Sequence, residues 1–185
     1  MRRALDRLFA ASLWLSALCL LAIAGLVGLQ VIGRILDAIL KAAGSAQTGF
    51  VILSLAEIAG YLLVAASFLA LSATLKSGVH IRVTLVLNAL PAGARKVIEA
   101  GALAFAAAAT AYATWHLGSF AYTSFLYNEL SPGLIPVPLA YPQAAMAVGA
   151  AVLTVAFLDE LVITLTQGRP SFRAAEDAIS LGQEG

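Results

Sequence analysis

Cysteine is nearly absent from this 185-residue chain: Cys19 is the single one, and it lies inside an apolar run. That excludes an internal disulfide, a four-cysteine zinc site and a two-cysteine redox relay. Quinone-linked thiol oxidoreductases, which need cysteine pairs, go with them. Histidine is scarce too, at His80 and His116. Bis-histidine haem ligation needs both, yet one reads as interfacial and the other as mid-helix. Nucleotide and catalytic signatures are missing as well. There is no G-x-x-x-x-G-K-[ST] loop, no G-x-S-x-G elbow and no H-E-x-x-H helix. The sequence therefore implies no cofactor, no metal and no enzymatic activity. Charged residues make up only 11% of the chain and the net charge is +1, which gives no electrostatic case for a nucleic-acid partner.

What the chain has instead is apolar surface, 61% of its residues, against about 45–50% in soluble domains. Water would not solvate such a chain without large exposed apolar patches, so it belongs in a bilayer. Four runs are long enough to cross, at roughly 20 residues per crossing: about residues 8–32, 51–75, 97–126 and 139–165. The first follows Arg2, Arg3 and Arg7 and is too long for the apolar region of a signal peptide, which favours a retained span. Past it, Ile35, Leu36, Ile39 and Leu40 fall at helical spacing and Asp37 and Lys41 stand four apart, predicting an amphipathic helix at the interface. Pro142 is tolerated in the first turn of the fourth helix. The expected fold is thus an all-α integral membrane domain over residues 1–166, with amphipathic interfacial helices after the first and second spans. A polar tail, 167–185, follows.

Basic residues set the orientation. Nine of the eleven (Arg2, Arg3, Arg7, Lys76, Arg82, Arg95, Lys96, Arg169 and Arg173) fall at the termini and the middle connection, and two, Arg34 and Lys41, fall on the other side. Both termini are expected in the cytoplasm.

The candidate functional residues are few. Glu57 is a carboxylate roughly 9 Å into the second span at 1.5 Å per residue. Such a charge faces protein or water; it is expected to meet a hydrogen-bond donor in the helix bundle or in a partner protein, and within this chain Arg34 is the candidate ion-pair mate. Lys76, Arg95 and Lys96 read as lipid-interface residues. Asp159 and Glu160 read as a solvated end of the last span. His116, beside Trp115, reads as packed against a neighbouring helix. Phe120, Tyr122, Phe125 and Tyr127 suggest an interfacial aromatic belt, and Ser131 to Pro138 a stiff, extended outer connection. Segment 79–87 alternates apolar and polar residues, but an isolated strand at a membrane leaves its backbone unpaired. A short interfacial helix ending before Pro91, or a positively charged topology loop alone, are the two readings.

The order of these features resembles the small membrane subunit of tripartite ATP-independent periplasmic (TRAP) transporters, the DctQ-type small permease. The resemblance rests on Arg34, Glu57, the small-residue run Ala65-Ala66-Ser67-Phe68-Leu69-Ala70, and above all Lys76-Ser77-Gly78-Val79-His80-Ile81-Arg82-Val83. Leu90-Pro91, Ile135-Pro136 and Tyr141-Pro142 follow in the family's order. Thr84 stands where the family often has an aspartate, and Leu55-Ala56 where it often has a tryptophan. The resemblance implies a bacterial inner-membrane subunit that scaffolds a large membrane subunit. That partner carries the substrate and sodium sites, and a periplasmic binding protein delivers an acidic organic solute. It implies structural or subunit-interface roles for Arg34, Glu57, His80, Arg82 and Pro142, with membrane lipids as further partners. The rival readings are an independent four-helix carrier or channel using Glu57, and a membrane assembly scaffold unconnected with transport.

The nine-to-two division of basic residues gives a direct test. Reporter fusions at Gly44 and Gly133 should report the periplasm, and fusions at Gly93 and Gly185 the cytoplasm. An odd number of crossings would contradict the whole reading.

Overall fold

The computed structural model of the protein describes residues 2–77 and 91–168. Four helices make up nearly all of it: α1 (Arg2–Ala42), α2 (Leu55–Lys76), α3 (Ala92–Leu126) and α4 (Ala140–Gln167). All four are long and apolar enough to cross a membrane. Long helices are the expected solution in lipid, because each satisfies its backbone hydrogen bonds internally.

The helices pack as a row rather than a closed bundle. α2 and α4 form the central pair, α1 lies on α2, and α3 lies along α4. Residue pairings give the directions. Ser12 and Ser16 of α1 meet Leu69 and Ala66 of α2, so these two run antiparallel. Phe68 meets Gly149 and Lys76 meets Asp159 and Glu160, so α2 and α4 run parallel. Thr114 meets Thr154, and Lys96 meets Leu165, so α3 and α4 run antiparallel. Two ends result: a Lys76 end, with the start of α1 and the finish of α4, and a Glu57 end, with the 43–54 and 127–139 connections.

Lipid gives helices little apolar incentive to associate, so close backbone approach and hydroxyl hydrogen bonds hold them together. The Ser12 hydroxyl donates to the Leu69 carbonyl at 2.6 Å, and Ser16 to Ala66 at 2.7 Å. Gly149 lets α4 touch the α2 backbone: a Cβ there would lie 2.6 Å from the Phe68 carbonyl carbon. Near the Lys76 end, Phe9, Leu75, Val152 and Ala156 close a small apolar core across three helices.

Two connections depart from the sequence reading. No break separates the first span from the amphipathic segment after it; Arg34 to Lys41 are the last turns of α1 itself. Asp37 does not serve Lys41 but accepts from the Thr48 amide and hydroxyl, both at 2.6 Å, and from the Gly49 amide at 3.1 Å. The linker is thereby folded back on α1. Phe50 covers Gly33, and the Ile52 amide donates to the buried Gln30 side chain at 2.7 Å. Residues 51–54 are occupied in this return, which is why α2 starts at Leu55 and not at Val51.

The second connection, 127–139, is a compact hairpin instead of an extended strap. Leu130 and Pro138 form an antiparallel bridge, the Ser131 amide donates to Val137 O at 2.9 Å, and the Leu139 amide to Glu129 O at 3.0 Å. Three prolines remove donors, and the remaining amides suffice to close the turn. Pro142 falls in the first turn of α4, as expected. The interfacial helix expected after the second span and the polar tail from Arg169 lie outside the described residues.

Gly149→Ala should push α4 away from α2, at a cost of about 1–3 kcal/mol, the range for overpacking a tight contact. A thermal unfolding scan in detergent checks this. Gly101→Ala on α3, where an added Cβ meets nothing within 4 Å, should leave the transition unchanged or raise it.

Candidate functional site

The charged side chains of α2 and α4 gather in two places, one at each end. At the Lys76 end, α2 finishes with a lysine and α4 carries two successive carboxylates at the same level. The Lys76 ammonium lies between them, paired with Asp159 and, at 2.7 Å, with Glu160 Oε1. Glu160 is fully buried (0% exposed), and the Lys76 Nζ also stands 5.3 Å from the Phe9 ring centroid. A carboxylate so deep is tolerated because an ammonium and further contacts answer it.

This overturns two expectations. Asp159 and Glu160 are not a solvated helix end, and Lys76, expected at the lipid interface, turns inward between α2 and α4 to pair with them. The signal was present in the sequence: opposite charges at the C-terminal ends of two apolar runs reach the same depth when those helices run parallel. Lys96 likewise turns to protein, donating to the Leu165 carbonyl at 2.9 Å, in the last turn of α4. Carbonyls there have no intrahelical donor, so a lysine is a natural cap. Arg95 Nε lies 3.9 Å from Glu99 of its own helix, an ion-pair distance rather than a hydrogen bond.

At the Glu57 end, Glu57 Oε1 accepts from the Tyr61 hydroxyl at 2.8 Å, one turn on. Its other oxygen rests against Gly133 of the hairpin, where a Cβ would overlap it. Ser54, in the left-handed region at φ 55°, turns its hydroxyl to accept from the Ile135 amide at 3.0 Å. The hairpin is thus seated on the start of α2 by Ser54 and Glu57 together. Arg34 is exposed on α1 and, among the described residues, makes no ion pair with Glu57. Glu57's partners come from its own helix and the hairpin, not from α1. Beside it lies an apolar cavity of about 420 Å³, with Ile58, Tyr61, Leu62, Tyr141 and Pro142 among its walls.

His116 is not packed against a neighbouring helix. It meets Tyr112 of its own helix, with ring centroids 4.3 Å apart and the rings tilted by 55°, and faces outward. Phe120, Tyr122, Phe125 and Tyr127 are exposed around the Glu57 end of α3, the placement expected of an aromatic belt. His80 and Arg82 lie outside the described residues. Among the described residues, no group of three or more histidine, cysteine or carboxylate side chains is placed to hold a metal ion.

The family model for tripartite ATP-independent periplasmic transporters, DctQ component, matches residues 46–167, from before α2 to the end of α4. The chain belongs to the DctQ family. No curated protein matches it. DctQ proteins are small subunits of TRAP transporters and components of a transport system, not enzymes. As a DctQ protein with four apolar helices, this is a multi-pass membrane protein. Neither polar cluster carries the marks of a reaction centre; each joins structural elements to one another.

Lys76→Met should destabilise the protein by about 3–5 kcal/mol, since it strands two carboxylates between helices. Adding Asp159→Asn and Glu160→Gln to it should recover most of that loss. Denaturation in detergent, followed by circular dichroism, reads both.

Proposed function

We propose that this DctQ protein scaffolds the large membrane subunit of a TRAP transporter and lines no solute path itself. Its partner takes up an acidic organic solute with sodium and receives it from a periplasmic binding protein. The complex sits in the bacterial inner membrane, with both termini of this chain cytoplasmic and Arg34 and Lys41 on the periplasmic side. Arg34, Glu57, His80, Arg82 and Pro142 serve structure or subunit contact, and Arg95 and Lys96 lie near the lipid interface.

The observation that carries this reading is the family match across α2, α3 and α4. The use of polar groups supports it. A carrier needs carboxylates free to change partners during transport, and transporters commonly build their sites at broken helices near the midplane. Here α2 and α4 are continuous. Glu57 is engaged by Tyr61 and the hairpin, and Lys76 bridges both acids of α4. Nothing in this geometry favours the rival carrier that would use Glu57.

Glu57 supplies the test. In the assembled transporter, Glu57→Gln keeps the shape and hydrogen-bonding capacity and should retain most sodium-driven uptake. Glu57→Leu leaves the Tyr61 hydroxyl without its acceptor and should weaken the subunit by about 1–3 kcal/mol. Loss of sodium dependence in Glu57→Gln, with the complex intact, would contradict the scaffold reading.

A further inference from the structure

The outer helices α1 and α3 each leave a broad face uncovered, and the two faces differ in chemistry. α1 exposes Leu13, Leu18, Leu21, Leu29 and Ile32, with Trp14 towards the Lys76 end, an apolar surface that lipid covers without cost. α3 exposes Tyr112, Trp115 and His116. Among the described residues, neither Tyr112 nor His116 has a hydrogen-bond partner; their rings meet at a tilt of 55°. His116 is also deep. It lies ten residues before the end of α3, roughly 15 Å at 1.5 Å per residue, and two residues past Thr114, which meets the middle of α4 at Thr154. An imidazole at that depth faces protein or a water-filled space, because hydrocarbon offers it nothing.

Beside this pair runs a groove of about 450 Å³, lined by Ala111, Thr114, Trp115, Gly118, Ser119 and Tyr122, all from α3. Its floor is small residues and its walls are an indole and a phenol. It runs from Ala111 to Tyr122, roughly 16 Å of helix. Small residues that let backbones approach, next to polar side chains that bond across, are the makings of a membrane helix interface.

We propose that this face of α3, from Ala111 to Tyr122, seats a transmembrane helix of the large membrane subunit, which brings a polar side chain to His116. The inference rests on the scaffold reading above and adds the surface through which scaffolding is done. An acyl chain would fill the groove but leave His116 unanswered. The sequence from Arg169 onward is polar, a poor match in chemistry for an apolar groove in mid-membrane. A second copy in the same orientation would set His116 and Trp115 against their own equivalents across a two-fold axis, pairing like with like. The large subunit is free to supply the complement.

The test is photo-cross-linking in the complete membrane complex, with a benzophenone side chain replacing Ser119 in the groove or Leu21 on α1. An adduct to the large subunit from position 119, and none from 21, is the expected result. An adduct from 119 to a second copy or to lipid alone, or one to the large subunit only from 21, would overturn the proposal. Recovery of the large subunit on a tagged copy of this chain is read in parallel. His116→Leu should lower it about threefold to tenfold, the effect of losing an interhelical hydrogen bond in a membrane, while His116→Gln should restore most of it. Unchanged recovery in His116→Leu would also defeat the proposal. If wild-type chain recovers no large subunit at all, the scaffold reading fails and this surface falls with it, an outcome distinct from a misplaced contact.

Discussion

The placement of one ammonium organises the Lys76 end of the molecule. Lys76 ends α2 at the depth where α4 carries Asp159 and Glu160, and the three charges bind the central pair of helices where apolar packing alone gives little preference for register. A shift of α4 by one turn would move its carboxylates by about 5.4 Å and leave Lys76 and a buried Glu160 apart, at a cost of several kcal/mol. Gly149 on Phe68 fixes the same pair two to three turns higher by contact instead of charge. α1 and α3 are hung on this frame by hydroxyls, Ser12 and Ser16 on one side and Thr114 with Thr154 on the other.

The opposite end is held by neutral and singly charged contacts. Glu57 and Ser54 seat the proline-rich hairpin on the start of α2, and Gln30 and Asp37 hold the returning linker against α1. Every one of these contacts joins a loop to a helix of the same chain. Asp37 and Glu57 are thereby engaged in holding the two connections in place.

Much of this architecture was legible in the sequence because hydropathy and length are local properties. Four apolar runs gave four helices, and the first-turn Pro142 marked the start of the last one. The family resemblance, carried mainly by the segment from Lys76 to Val83, agrees with the match found over residues 46–167. What was not legible depends on which helices are neighbours. Glu57 meets a hydrogen-bond donor, as a deep carboxylate should, but the donor is Tyr61 and not Arg34, because shared depth does not say which face a side chain occupies. Lys76 was assigned to lipid because basic residues at span ends usually serve topology. The parallel packing of α2 on α4, which brings it to Asp159 and Glu160, follows from the connectivity of four helices and not from any single run. His116 was expected to be covered by a neighbouring helix, but α3 sits at the edge of the row with that face outward. The hairpin looked extended because prolines suggest stiffness; its closure rests on the amides of Ser131, Val137 and Leu139, which composition does not reveal.

The chain is a small subunit of the TRAP type. Lys76 pairs with Asp159 and Glu160, Glu57 holds a loop, and the edge helix α3 leaves a polar face uncovered. The central claim is that solute passes through the partner and not through this chain. Sodium-driven solute uptake into proteoliposomes, supplied with the periplasmic binding protein, tests it most directly. The account predicts flux when this chain is reconstituted with its large subunit and none when it is reconstituted alone. Sodium-dependent uptake by vesicles holding only this chain would contradict it.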